Sequence, residues 1–260
     1  MDSAGQRGVA QVRVAPELRF LLLPRRRALA TIAVPVDGVS SVVHIVQSLG
    51  IPRTEVGEYR VRGLPVPADY LPQGGDEIEV RAVARPQYGL PERFLLDVHL
   101  GALARRMRLL GLDTAYSNRA GDPELVYTAR REGRVLLTRD RGLLGRRALV
   151  AGALVRHDDP DEQLADLLDR FAPDLAPWTR CPACNGLLQP VPLPEVVSLL
   201  QPGTARTYRD FSRCVDCRQV YWRGAHAARL VARVARAVEQ LATARDRAAE
   251  SPGESGTLSR

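Results

Sequence analysis

The stretch Gly133–Leu144, GRVLLTRDRGLL, decides the fold. Val135, Leu136 and Leu137 form an apolar run too short for a helix, with a glycine before it and Asp140, set between Arg139 and Arg141, just beyond it. Such a run, bounded by turn signals, reads as a strand buried on both faces, as in a parallel sheet covered by helices. In that architecture the ligand site lies beyond the carboxyl ends of the strands, where Asp140 stands.

Outward from this strand the pattern alternates. RFLLDV (93–98) reads as a first strand, and HLGALARRMRLLGL (99–112) as a helix with Leu100, Leu103, Met107 and Leu110 at helical spacing and Gly111 at its end. TAYSN (114–118) is a second strand. DPELVYTARREG (122–133) is a helix with Pro123 in its first turn and Gly133 past its end, and RVLLT (134–138) is the third strand. RGLLGRRA, GALVRHD and PDEQLADLLDRF then give helix, strand and helix. Residues 93–175 are therefore expected to form an α/β core with a parallel sheet and helices on both faces.

Residues 10–84 read differently. Alternating strands open (AQVRVAPEL) and close (DEIEVRAV) the block, with a helix, GVSSVVHIVQSLGI, and a hairpin, EYRVRGLPVPADYL, between them. Gly63 and Leu64 are expected at the hairpin turn. This is an α+β block of ββαβ type, and ARPQYGLPER, with prolines near both ends, is the linker behind it.

The strand ends gather acids. Asp97 follows the first strand, Asp122 begins the helix after the second, Asp140 follows the third, and Asp158 and Asp159 follow the fourth. Carboxylates brought together repel unless a cation sits between them, and a set without histidine or thiolate suits Mg²⁺ or Mn²⁺. Asp122, Asp158 and Asp159 read equally as turn formers or helix N-caps, Asp122 and Asp159 especially, since each precedes a proline. Asp97, between FLL and a leucine-rich helix, is the strongest candidate ligand, followed by Asp140. Asp113 and Asp161 read as ordinary surface residues, and Glu124 as a first-turn helix acid within reach of a metal. Arg105, Arg106, Arg108, Arg139 and Arg141 lie beside these acids and suit a phosphodiester substrate, with a solvated helix face as the competing reading.

CPAC places Cys181 and Cys184, and CVDC places Cys214 and Cys217. Two CxxC pairs make a tetrahedral Cys₄ site for structural zinc, with no open position for catalysis; a redox dithiol would need only one pair. The loop from Asn185 to Arg213 exceeds the roughly 15 to 20 residues usual between such pairs, so residues 176–228 read as an extended zinc ribbon with inserted turns. Tyr221 and Trp222 could stack bases or pack the small core. Arg223 follows them, and His226 reads as structural or phosphate-contacting. The segment 229–260 is expected to be helical, then disordered.

The 260 residues, 45% hydrophobic, are enough for two or three modules. The 37 basic against 30 acidic residues give +7, which favours an anionic partner such as nucleic acid, although every basic residue is arginine, a bias that base composition alone can produce. No apolar run approaches the roughly 18 to 20 residues that cross a bilayer, and no signal-peptide core opens the chain, so a cytoplasmic protein with no membrane partner is expected.

FLLDVHLGALARRMRLLGLDTAY, GRVLLTRDRGLL, VRHDDPDEQL, CPACNGLL and CVDCRQVYWRGAH together resemble the Mut-seven C-terminal RNase family, a PIN-like nuclease branch with an appended zinc ribbon, over about residues 93–228. The first block resembles the ubiquitin-like β-grasp domain often fused in front of it, of the sulfur-carrier type. The resemblance implies a metal-dependent ribonuclease, with Asp97 and Asp140 matching the family's acids, followed by Asp122 and Asp158. The chain departs from PIN nucleases in showing arginines and leucines where a further acid usually sits on the first long helix. Sulfur carriers act through a free Gly-Gly terminus, whereas here the block runs on through VRAVARPQYGL, so it reads as a module that binds RNA or a protein partner, or positions the core. The competing functional readings are a non-catalytic RNA-binding adaptor with a degenerate PIN-like fold, and a nuclease acting on DNA.

Overall fold

The structure, a computed structural model, describes residues 8–222 and 227–250. The chain gathers into two compact units. One holds residues up to Ala84 together with Thr138–Leu154; the other holds Arg85–Leu137 together with the residues from Val155 onward.

In the first unit β1 (Gly8–Val14) and β2 (Ile32–Val36) pair antiparallel, and α1 (Val42–Ser48) precedes β3 (Val56–Val61), β4 (Leu64–Val66) and β5 (Glu77–Ala82). The sheet order is β2-β1-β5-β3-β4, with β5 parallel to β1 (Val12 opposite Ile78) and antiparallel to β3 (Tyr59 opposite Val80). Strand alternation buries Ala10, Val12, Val14, Ile32, Val34, Val36, Ile78 and Val80, and α1 adds Val42, Ile45 and Val46. Each of the valines and isoleucines among them contributes roughly 1.5–3 kcal/mol by leaving water. The β3–β4 turn is made by Arg62 and Gly63, both left-handed at φ 51° and 79°, with β4 already begun at Leu64. The expected turn pair, Gly63 and Leu64, is therefore one residue late, because a two-residue hairpin matched to strand twist needs positive φ at both central positions.

The second unit opens with β6 (Arg93–Leu96), α2 (Gly101–Leu109), β7 (Asp113–Tyr116), α3 (Asp122–Glu132) and β8 (Val135–Thr138). β7, β6 and β8 lie side by side and parallel, with Leu96 opposite Tyr116 on one flank and Leu137 on the other. Phe94, Leu95 and Leu96 are buried at consecutive positions, as are Val135, Leu136 and Leu137, so both sheet faces are covered. Gly133 ends α3 in the left-handed region at φ 59°. Gly111, at φ 84° behind α2, lies so close to the Ala176 carbonyl that a Cβ there would overlap it.

Thr138–Leu154, which the sequence reading assigned to the α/β core, clusters with the N-terminal residues. It contains α4 (Arg141–Leu144) and β9 (Gly152–Leu154). Gln47 Nε2 donates to the Gly145 carbonyl (3.0 Å), Arg141 Nη1 to the Leu21 carbonyl (2.8 Å), and the Leu154 amide to the buried Glu55 carboxylate (2.9 Å). β9 stops at Leu154, where the sequence pattern ran on to Asp158.

The second unit resumes with α5 (Pro160–Phe171), capped by Asp159, whose Oδ1 accepts the Asp161 and Glu162 amides. Its Leu164, Leu167, Leu168 and Phe171 are buried, and the Phe171 ring meets Phe94 edge-on at 5.5 Å. β10 (Leu188–Val191), α6 (Leu193–Val196), α7 (Pro202–Thr207), β11 (Phe211–Cys214) and β12 (Val220–Trp222) follow, and the three strands form an antiparallel sheet in sequence order. Val191, Val196, Phe211 and Val220 are the core of this small module. The long inter-cysteine loop thus holds two short helices. Finally α8 (Ala227–Glu250) packs on α5, with Ala237 and Leu241 buried. Among the described residues no helix is long and apolar enough to cross a membrane. Arg223, His226 and the last ten residues lie outside the described residues.

Candidate metal centre and strand-end acids

The two CxxC pairs fold as matching turns. Cys181 N donates to Gly186 O (2.8 Å) and Cys214 N to Gln219 O (3.0 Å), and the residue after each second cysteine, Asn185 (φ 78°) and Arg218 (φ 64°), is left-handed. These turns aim backbone amides at sulfur: Ala183 and Cys184 at Cys181, Gly186 at Cys184, Asp216 and Cys217 at Cys214, and Gln219 at Cys217. The four thiol sulfurs lie within 4.8 Å of one another, with Cys181 and Cys214 buried and Cys184 and Cys217 exposed. Gly186 is required here, because a Cβ would overlap the Asp216 carboxylate and lie 2.8 Å from Cys214 Sγ.

Burial raises a thiol pKa, but at Cys181 the Tyr221 hydroxyl (3.0 Å) and the knuckle amides outweigh it and bring the group to about 7. Tyr221 itself is raised, by burial first and then by Cys181, and stays protonated as the donor. Trp222 turns its ring toward Phe211, with centroids 6.5 Å apart. Amide-solvated thiols in a tetrad fit zinc by their donor chemistry and could hold one ion.

The first knuckle is fastened to β7 and α2 by polar side chains. Arg108 is 4% exposed; its Nε donates to Thr114 O (2.9 Å) and its Nη1 to Pro182 O (3.2 Å) and Ala183 O (2.8 Å). Asn185 Oδ1 accepts the Thr114 amide (2.9 Å), and its Nδ2 donates to Asp113 Oδ1 (2.9 Å). Asp113 also receives Arg134 (2.7 Å), Arg93 (3.3 Å) and Arg180 (3.5 Å). Burial opposes its ionisation, yet Arg134 and Asn185 bring the carboxyl down to about 2. Asp113, read from sequence as an ordinary surface residue, is thus the centre of a cross-module ion and hydrogen-bond cluster. Arg108, read as a nucleic-acid contact, is committed to three carbonyls inside the protein.

The strand-end acids stand as follows. Asp97 is half-buried directly after β6; its amide donates to Leu137 O (3.0 Å), and its Oδ1 accepts the Val98 amide (2.6 Å). Asp122 is the first residue of α3, also half-buried. The N-cap is Gly121, so Asp122 does not cap the helix as its place before a proline suggested. Asp158 is exposed ahead of α5. In the other unit Asp140 caps α4, its Oδ1 accepting the Gly142 (2.7 Å) and Leu143 (3.3 Å) amides. Among the described residues, the cysteine quartet is the one set of three or more metal-type ligands drawn within 4.8 Å. Of the arginines, Arg105 and Arg139 are exposed, Arg141 is exposed above the Leu21 carbonyl, and Arg106 is paired with Asp161 (2.7 Å), so Asp161 also has a partner.

A family model described as the Mut7-C RNAse domain matches residues 92–234, more than half of the chain. This protein belongs to that family. A second model, described as Mut7-C ubiquitin, matches residues 8–88. No curated protein and no solved structure matches the chain. Membership in the Mut7-C RNase domain family supports a nuclease-like function, preceded by a ubiquitin-like domain whose mixed sheet is the one described above. Sequence reasoning names Arg108, Asp113 and Tyr221 but in other roles, as a phosphate contact, a surface acid and a base-stacking or core aromatic; their part around the cysteines is what it misses. Only Tyr221 carried a signal, four residues beyond the last cysteine.

Proposed function

We propose that this Mut7-C protein is a metal-dependent ribonuclease with a PIN-like core, hydrolysing RNA phosphodiester bonds through Asp97, Asp140, Asp122 and Asp158. One observation carries the reading. β6 and β8 are neighbouring parallel strands with Leu96 opposite Leu137, and each runs out within three residues into an aspartate, Asp97 and Asp140. Acids at the carboxyl ends of adjacent parallel strands occupy the position where α/β sheets bind ligands, and their mutual repulsion favours a hard cation. Mg²⁺ or Mn²⁺, when bound, supplies an activated water and charge stabilisation at the phosphorus. Asp97 and Asp140 are the principal ligands; Asp122 and Asp158 complete the set or hold water. Arg105, Arg139 and Arg141 bind neighbouring phosphates. Arg106 shares its charge with Asp161, and Arg108 belongs to the ribbon joint. The four cysteines hold a structural zinc ion and take no part in the chemistry.

Calorimetric titration of Mn²⁺ into the zinc-loaded protein tests the ligand assignment. Binding should weaken at least about tenfold in Asp97→Asn and in Asp140→Asn, the loss of a charged ligand being worth more than about 1.4 kcal/mol. Unchanged binding in both variants would overturn it. A non-catalytic RNA-binding adaptor is the second reading, favoured by the quartet being the one preassembled ligand set among the described residues.

A further inference from the structure

Two groups stand out among the arginines of the first unit. On the sheet, Arg13, Arg60, Arg62 and Arg81 each lie within 4.0 Å of a carboxylate: Glu79, Glu58, Asp76, and Glu58 and Glu79, respectively. Arg25, Arg26, Arg27, Arg53, Arg141 and Arg147 pair with no carboxylate among the described residues; Arg25, Arg27, Arg141 and Arg147 are exposed, and Arg26 and Arg53 half-buried.

The segments that carry these six are linked to one another. The short 3₁₀ turn Pro24–Arg26 follows Leu21 and Leu22, whose carbonyls receive Arg141 (2.8 Å) and Arg27 (3.0 Å). Arg53 reaches the Arg147 carbonyl (3.4 Å), and Gln47 ties Gly145 down between them (3.0 Å). Three chain segments distant in sequence are thereby tied together, and they carry Arg25, Arg26 and Arg27, Arg53, and Arg141 and Arg147.

We propose that this surface, formed by the Pro24–Arg27 turn, Arg53, Arg141 and Arg147, binds the phosphate backbone of a single RNA strand. Concentrating unpaired cations on one surface costs self-repulsion, which a polyanion relieves. Guanidinium groups fork phosphate oxygens, and arginines held only by carbonyls keep donors for that purpose. The surface ends on the turn that carries Asp140, one residue from Arg141, so a strand lying across it leads to that acid. In this respect the proposal rests on the ribonuclease reading. An acidic protein is the rival occupant, and the test separates it.

The test is fluorescence anisotropy of a labelled single-stranded RNA with the full zinc-loaded chain, without added Mg²⁺ or Mn²⁺, over a range of NaCl concentrations. The parent is compared with an Arg25→Gln/Arg26→Gln/Arg147→Gln triple variant and with an Arg13→Gln/Arg62→Gln/Arg81→Gln triple variant that loses the same charge from paired positions. The first triple should bind at least about tenfold more weakly and flatten the log–log salt slope by roughly 2, at about 0.7 per phosphate lost; the second should stay near the parent. Matching melting curves check that each variant folds, and the single Arg25→Glu substitution repeats the test with least structural cost. Equal losses in both triples, or none in the first, would overturn the proposal. So would loss of polyglutamate binding with RNA binding intact, which would assign the surface to an acidic protein. Because binding is read without catalytic metal, its failure is distinguishable from failure of the ribonuclease reading, which shows as RNA bound and left uncut when Mn²⁺ is added.

Discussion

Arg108 on α2 and Ala183 in the first cysteine knuckle, 75 positions apart in sequence, are joined by a 2.8 Å hydrogen bond from a guanidinium buried to 4% exposure. Arg108 has three carbonyl partners: Thr114 O on β7, and Pro182 O and Ala183 O in the backbone that positions Cys181 and Cys184. The α2–β7 layer and the cysteine quartet are therefore coupled: neither can rearrange without stranding the buried Arg108 charge.

Arg108→Ala should destabilise the protein by roughly 3–5 kcal/mol in urea unfolding, combining a cavity with unsatisfied acceptors. Arg108→Met, which fills the volume and restores no donor, should lose less.

Asp113 gives the joint a pH dependence. Its folded pKa, about 2, lies below the ordinary 3.8, so its contribution is present in full above about 4 and disappears as pH falls through about 2. Asp113→Asn should therefore lower the melting temperature at pH 7 and make little difference near pH 2. A difference that persisted unchanged to pH 2 would show that the carboxylate charge is not what holds the joint.

Zinc should be present at about one ion per chain, as four thiolates fill a tetrahedral shell. Cys181→Ser or Cys214→Ser should abolish metal retention on dialysis, measured by elemental analysis. Gly186→Ala should weaken it, because the new Cβ displaces Asp216 and crowds Cys214. Removing the ion should also speed amide exchange at Thr114, which is held by Asn185.

Glu55, 6% exposed, accepts the Leu154 amide. Glu55→Ala should leave that amide buried without its acceptor, a loss of about 1–3 kcal/mol. Exchange at Leu154 should accelerate while the β1–β5 amides stay protected; uniform acceleration would show that the whole sheet, and not the tether, had been weakened.

Elements whose signal is local were legible in the sequence. The apolar run 135–137 is a doubly buried strand, Gly133 sits left-handed behind α3, and Asp159 caps α5, because each follows from its own few neighbours. What escaped depends on partners far along the chain. Helical spacing puts Arg108 beside Met107 with no hint that its acceptors lie at residues 114, 182 and 183. Asp113 looks like any acid before a strand until Asn185 and Arg180 come back to it. The segment 138–154 continues the βα alternation perfectly well on paper, yet Leu21, Gln47 and Glu55 supply its polar partners. Of the candidate site, the cysteines were fully readable from spacing, whereas the acids were readable only as strand-end positions.

The central claim is tested most directly by cleavage of a labelled RNA by the zinc-loaded protein, with and without Mn²⁺ or Mg²⁺, beside Asp97→Asn and Asp140→Asn. The account predicts cleavage only with the added divalent ion, falling at least about a hundredfold in each variant, in keeping with the loss of an electrostatic contribution of roughly 3 kcal/mol at the transition state. RNA that binds yet stays intact with every metal, or variants that cut as well as the parent, would contradict it.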